Sequence, residues 1–251
     1  MLLSYDLHIH TALSPCGDED MTPNNIVNMA LLKGLDVIAI TDHNICGNAK
    51  ACMEAAEGTG LIVLPGLEVE SCEAVHNLCI FKDIESAKQM ERAVLESLPD
   101  IKNRPDIFGR EIFMDRYDNE TGEENILLLN STLLSIYDIK ERTEALGGVY
   151  IPAHVDRDAY GILASLGIFP EDLNVKLLEV SKSAPKGFKE DFMKQYGGDF
   201  EFITSSDAHY LENIAEREHF IDVFKKTPNE IVEKLRKLSK NGNVLNKRQK
   251  N

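Results

Sequence analysis

What most constrains the fold of this chain is a rhythm. Short, nearly unbroken apolar runs recur at intervals filled by helix-length amphipathic segments. Leu35-Asp36-Val37-Ile38-Ala39-Ile40 and Leu61-Ile62-Val63-Leu64-Pro65 have strand length and almost no polar positions. Between the first strand and these runs, Thr22-Pro23 opens a segment with an apolar stripe of Ile26, Met29, Ala30 and Leu31, closed by Gly34; a second segment covers about 47–58. Thr22 suits an N-cap and Pro23 the first helical position, and apolar residues three and four apart give a helix one buried face. Strands that do not alternate must be covered on both faces, which points to a parallel sheet with helices outside it. The chain is expected to start β-α-β-α-β in an α/β fold.

The rhythm breaks after the third strand. Residues 74–81 are a short apolar segment carrying His76, 84–98 read as helix, and 99–130 are irregular. Within them, 110–114 and 125–129 flank Asp118-Asn119-Glu120-Thr121-Gly122, which reads as a hairpin about a turn. Alternation then resumes: helix 135–146, strands 149–152 and 175–180, helix 188–196, strand 200–204, a last strand at 219–223 and a helix from 229 to 238. Residues 1–251 are expected to form a single barrel domain. Residues 82–135 are expected to be an insertion within it, acting as a lid or a dimer contact, because long insertions at a barrel mouth are usually functional.

Composition narrows the function classes. The formal charge of −15, from 27 basic and 42 acidic residues, gives a surface that repels nucleic-acid backbones over most of its area. It leaves room for a pocket that takes a short oligonucleotide, where bound cations reverse the local sign. Five cysteines (Cys16, Cys46, Cys52, Cys72, Cys79), with no CxxC pair, point to a reducing, cytoplasmic setting. No signal peptide is expected, and no run reaches the roughly 18 apolar residues of a membrane span. The polar, basic segment 246–251 reads as a frayed end.

The chemistry-bearing residues follow the rhythm. In Tyr5-Asp6-Leu7-His8-Ile9-His10-Thr11 the alternation of a strand turns His8 and His10 to one face and Leu7 and Ile9 to the other. His43, His154 and His209 likewise stand at or just past the ends of expected strands, and His76 lies in the segment after the third. Strand ends converge on one mouth of a parallel barrel, where chemistry is built. Glu68 and Asp207 follow the same rule, and Asp18 in the first loop is within reach. Imidazoles and carboxylates without thiolates suit zinc, manganese or iron, and so many ligands exceed what one tetrahedral ion uses, so two or three divalent ions are implied.

Asp6-Leu7-His8-Ile9-His10, Thr41-Asp42-His43, Gly66-Leu67-Glu68-Val69, Ala153-His154 and Ser206-Asp207-Ala208-His209 resemble, in order, the motifs of the PHP (polymerase and histidinol phosphatase) family. The resemblance runs from about residue 4 to 210, interrupted at about 82–135. It implies a distorted, TIM-like (β/α)7 barrel with a trinuclear metal site at its C-terminal mouth. Carried over by motif, His8, His10, Glu68 and Asp207 surround one metal. Glu68 bridges to a second held by His76 and His154, and Asp18, His43 and His209 hold the third. The loop Ser14-Pro15-Cys16-Gly17-Asp18-Glu19-Asp20 is longer than in many relatives and offers Asp20 beside Asp18. Asp42 is expected to orient a ligand from behind. For the substrate, Arg157 is the best phosphate partner, with Lys182 and Lys186 next.

The expected activity is that of a hydrolase of phosphoric ester bonds. A metal-bound hydroxide would attack a phosphomonoester carried by a small phosphorylated metabolite or a nucleotide, with Glu68, Asp207 and His209 at its centre. No side-chain nucleophile motif and no P-loop competes with that reading. The alternatives are a 5′–3′ exonuclease or oligonucleotide phosphoesterase, and a non-catalytic metal-binding regulatory module.

Overall fold

The structure, a computed structural model, describes residues 1–241. The basic segment 246–251 lies outside the described residues.

The chain opens with β1 (Leu2–Ile9), buried from Leu3 onward. In α1 (Pro23–Leu32) Thr22 caps the first turn by accepting from the Asn25 amide, with Pro23 next to it. Then come β2 (Val37–Ile40), α2 (Ala49–Ala55) and β3 (Ile62–Glu70). β1, β2 and β3 pair in parallel, Tyr5 with Val37 and Val37 with Ile62. The strands are near-continuously apolar because both faces are covered. Leu7, Val37, Ala39 and Leu64 fill an inner cluster, while Ile38 and Ile40 pack outward against α1 residues such as Ile26 and Ala30.

The sheet then departs from the all-parallel expectation. β4 (His76–Ile80) runs antiparallel to the second half of β3, with Glu70 opposite His76. Only residues 71–75 join the two strands, too few for the crossover a parallel neighbour requires. This reversal puts the start of β4, rather than its end, at the mouth, and His76 with it. The chain continues through α3 (Ile84–Leu95), α4 (Pro105–Phe108), β5 (Ile112–Met114), β6 (Glu120–Glu123), α5 (Ile136–Ala145) and β7 (Val149–Pro152), which pairs antiparallel with β4. It ends with α6 (Ile162–Leu166), β8 (Leu177–Val180), α7 (Phe188–Tyr196), β9 (Glu201–Thr204), β10 (Phe220–Asp222) and α8 (Pro228–Asn241).

The main sheet has the order β10-β1-β2-β3-β4-β7, with β10 antiparallel to β1, and β8-β9 form a separate parallel pair. Two seams curl these parts toward each other. The Val155 amide donates to the Glu179 carbonyl at 2.9 Å beside β7 and β8. Beyond β9, the His10 amide donates to the Ala208 carbonyl at 3.0 Å. The result is a mixed α/β fold with a curled, half-barrel sheet.

Two local readings are corrected. The pairing of β1 with β2 shifts between Asp6 and Ile9, so Leu7 joins the inner cluster and Ile9 the outer one instead of sharing a face. Such an irregularity re-aims side chains beside a site. The hairpin turns earlier than the acidic run indicated. The Asp115 carboxylate accepts from the amides of Tyr117 and Asn119, Asp118 takes φ 64°, and residues 120–123 become strand. Leu128, expected in the returning strand, packs instead against Leu13 and Ile45.

Candidate metal centre

The mouth is assembled from strand ends. His8 lies near the end of β1 and His10 just past it, His43 follows β2, Glu68 lies in β3, His76 starts β4, His154 follows β7, and Asp207 and His209 follow β9. Glu68 is the hub. Its Oε1 lies 2.9 Å from His76 Nδ1, 3.2 Å from His154 Nε2 and 3.3 Å from His8 Nε2. Its Oε2 lies 3.1 Å from His43 Nδ1 and 3.4 Å from His10 Nε2. Asp207 Oδ1 closes the other side, 3.1 Å from His10 Nε2 and 3.3 Å from His8 Nε2. Among the described residues there are three sets within each of which the donor atoms lie no more than 4.8 Å apart: His8, His10, Glu68 and Asp207; His43, Glu68 and His76; His10, His43 and His209.

Hydrogen bonds behind the rings decide which nitrogens face the centre. His8 Nδ1 donates to the Glu179 carboxylate at 3.0 Å. His10 Nδ1 donates to Ser14 Oγ at 2.9 Å, and that hydroxyl donates to Asp42 at 2.7 Å. With both Nδ1 atoms engaged, the two Nε2 atoms meet 3.1 Å apart. Two lone pairs at that distance repel unless a proton or a cation lies between them. Glu68 Oε2 and His154 Nδ1 are among the few buried side-chain atoms of the described residues that have no hydrogen-bond partner, whereas most buried polar groups in proteins have one. The all-nitrogen-and-oxygen donor set and these orphaned atoms fit divalent cations.

The electrostatics are those of a tightly coupled cluster. Burial alone would raise the Glu68 carboxyl, but His76, His8 and His43 outweigh it and hold it well below the usual range. Burial would lower His8 and His76, yet Glu179, Asp207 and Glu68 hold His8 well above its ordinary value and Glu68 lifts His76 to about 9. Burial and the neighbouring His10 depress His43 well below 6.5 and His209 to about 4. The backbone is strained here too. His154 (φ 27°), Asp207 (φ 52°), Asn44 (φ 58°) and Tyr160 (φ 57°) all sit at positive φ, a cost that structures carry where function needs a fixed geometry.

The remaining sequence-derived residues lie around this core. Asp42, buried, accepts from the Thr11 amide and from the hydroxyls of Thr11 and Ser14. Arg157 Nη1 lies 2.6 Å from Asp207 Oδ2 at the edge of a 210 Å³ cavity lined by His43, Glu68, His76, His154, Tyr160 and His209. Lys182 lines a neighbouring 310 Å³ cavity that shares Asp207, and its Nζ donates to the Asn213 carbonyl. Asp18 stands apart from the three donor sets. Its amide donates to the His209 carbonyl, but its carboxylate accepts from the Asp20 amide at 2.9 Å.

Glu179, Asn44, Ser14 and Tyr160 were not singled out in the sequence. Glu179 was findable, because it sits at the end of an apolar strand, as the histidines do. Asn44 was not. Its side chain donates to the Leu128 and Asn130 carbonyls and accepts from the Glu70 amide, while its own amide donates to the Glu68 carbonyl. Those partners are far away in sequence.

The PHP domain model matches residues 6–158. An uncharacterized protein of Methanocaldococcus jannaschii is 32% identical over 98 residues, 36% of this chain and 57% of that protein. Among solved structures, the lesion-specific endonuclease Q of Pyrococcus furiosus superposes with a TM-score of 0.66 at 21% identity, over 96% of this chain and 56% of that one. A Bifidobacterium adolescentis protein inferred to be a metal-dependent phosphoesterase superposes at 0.59 and 18% identity, over 96% and 98%. The chain thus spans just over half the length of the M. jannaschii protein and of endonuclease Q.

Proposed function

Because this chain belongs to the PHP domain family, we propose that it is a metal-dependent hydrolase of phosphoester bonds, acting on a phosphomonoester of a small phosphorylated metabolite or a nucleotide. The observation that carries this reading is the meeting of His8, His10, His43, His76 and His154 around one shared carboxylate, Glu68, with Asp207 beside His8 and His10 and His209 beside His10 and His43. We place the chain in the cytoplasm and read residues 1–251 as one (β/α)7 barrel domain, with 82–135 inserted in it. Among the described residues no helix is long and apolar enough to cross a membrane.

His8, His10, Glu68 and Asp207 would hold one divalent ion, zinc, manganese or iron. Glu68 would also help hold another ion, with His76 and with His43 or His154, and His10, His43 and His209 supply donors for a third. Asp18, whose Oδ1 accepts from the Asp20 amide, would add its other carboxylate oxygen only if the first loop brings it to the three donor sets. Bound divalent cations supply neutralisation of charge on the phosphoryl oxygens and an activated water. His209, neutral near pH 7 because it is depressed to about 4, donates Nδ1–H to the Asp207 carbonyl at 2.9 Å, which leaves Nε2 to accept a proton or ligate. Arg157, 41% exposed and held by Asp207, swings to a phosphate that enters the cavity.

A second reading is hydrolysis within an oligonucleotide. Endonuclease Q, whose structure with a 27-mer duplex bearing an abasic lesion superposes on 94% of this chain, supports it. The charge of −15 weighs against long nucleic acids.

Elemental analysis of the purified protein, paired with hydrolysis of an aryl phosphate in added manganese, tests the proposal. Two to three ions per chain with metal-dependent turnover is the expected result. No bound metal after reconstitution would overturn it.

A further inference from the structure

The loop after β7 carries, beside Arg157, a cavity-lining side chain that the chemistry above does not use, Tyr160. The backbone of this loop is pinned at many points. The Arg157 amide donates to the His154 carbonyl at 2.9 Å, and the Ser181 amide donates to Asp156 Oδ1 at 2.7 Å. The His76 amide donates to the Tyr160 carbonyl at 2.9 Å. A Cβ on Gly161 would lie 2.8 Å from the Arg157 carbonyl oxygen and 3.0 Å from that of His154, so the loop closes on itself only with glycine there. Held this way, it presents Arg157 and Tyr160 outward into one cavity.

Tyr160 is placed at a cost. It sits at φ 57°, a conformation that side chains larger than glycine rarely take. One face of its ring stacks on His76, with centroids 4.5 Å apart and planes 14° apart. The residue is nonetheless 48% exposed and lines the cavity at the mouth, so its ring is only partly covered by His76. Among the described residues no hydrogen bond holds its hydroxyl, so the ring's position is set by the backbone and by His76. A rigid, half-open aromatic face beside a phosphate-binding arginine matches a flat group attached close to a phosphate. A purely aliphatic phosphoester gains less from such a face, because it has no π-system to stack.

We infer that Tyr160 is a stacking platform for a nucleobase, so that the preferred phosphoester is carried by a nucleotide; this rests on the phosphoesterase reading above. Base–aromatic stacking tolerates any base, because every base has a π-face. The residue therefore selects nucleotides over sugar phosphates without selecting a particular base.

The test uses the full, manganese-loaded chain and its Tyr160→Ala and Tyr160→Phe variants. It compares kcat/KM for a nucleoside 5′-monophosphate and for ribose 5-phosphate, and measures metal content for all three proteins. The native chain is expected to prefer the nucleotide about tenfold or more, Tyr160→Ala to lose about tenfold on the nucleotide alone, and Tyr160→Phe to stay within about twofold on both. Equal use of both substrates by the native chain, or an equal loss on both in Tyr160→Ala, would overturn the inference and leave Tyr160 a cover for His76. If neither compound is hydrolysed although metal is bound, the phosphoesterase reading fails instead. Calorimetric binding of the same two compounds then decides the inference: about tenfold tighter nucleotide binding that Tyr160→Ala abolishes supports it, and equal binding refutes it.

Discussion

Replacing Glu111 with glutamine should make the protein more stable, increasingly so as the pH rises. Glu111 is fully buried between α4 and β5. Its Oε1 accepts from the Leu128 amide at 2.8 Å, while its Oε2 has no partner. Burial pushes the carboxyl up; the Leu128 amide pulls it partly back and the charge of Glu124 adds to the rise, leaving it at about 8 against an ordinary 4.5. Between those two values the folded chain keeps a proton that the unfolded chain gives up. Stability is therefore complete below about pH 4.5, falls as the pH rises and levels off above about 8. At 1.36 kcal/mol per pH unit the upper bound is about 5 kcal/mol, and local relaxation and water entry reduce it to about 2–3 kcal/mol. Glutamine keeps an acceptor for Leu128 and cannot ionise. Urea unfolding followed by circular dichroism should give matching stabilities at pH 5 and a variant about 2–3 kcal/mol more stable at pH 8. The site histidines titrate in both proteins, so the difference between them isolates Glu111. A difference that does not change with pH, or a native protein that gains on the variant as the pH rises, would refute the reasoning. The effect also reaches the site, because the Leu128 and Asn130 carbonyls hold Asn44, whose amide bonds the Glu68 carbonyl.

Glu68→Gln should leave the fold intact by circular dichroism but lower the metal content by at least one ion and abolish turnover, since it removes the charge that His8, His43 and His76 share; retention of both metal and turnover would refute the ligand role. Glu179→Gln should weaken metal affinity about 10–100-fold, read by chelator competition, because His8 Nδ1 loses its anionic partner; unchanged affinity would mean that the contact does not orient the ring. Gly109→Ala should cost about 2–4 kcal/mol in urea unfolding, because at φ 99° its Cβ would lie 2.0 Å from the Pro15 carbonyl oxygen; native stability would show that the loop moves aside freely.

Local chemistry in the sequence determined a good deal. The apolar runs of β2 and β3, the Thr22 cap with Pro23, and the position of histidines and acids at strand ends all follow from periodicity, capping and turn preference, which act over a few residues. They were legible without knowing any neighbour. The tertiary structure decided the rest. The short link to β4 reversed that strand and carried His76 to the mouth from its starting end. The shift in β1 pairing separated Leu7 from Ile9. Glu179 became the partner of His8 across 171 positions of sequence. Strand pairing, sheet curl and hydrogen bonds behind the rings are long-range: they depend on which distant segments are brought side by side, and no local pattern encodes that.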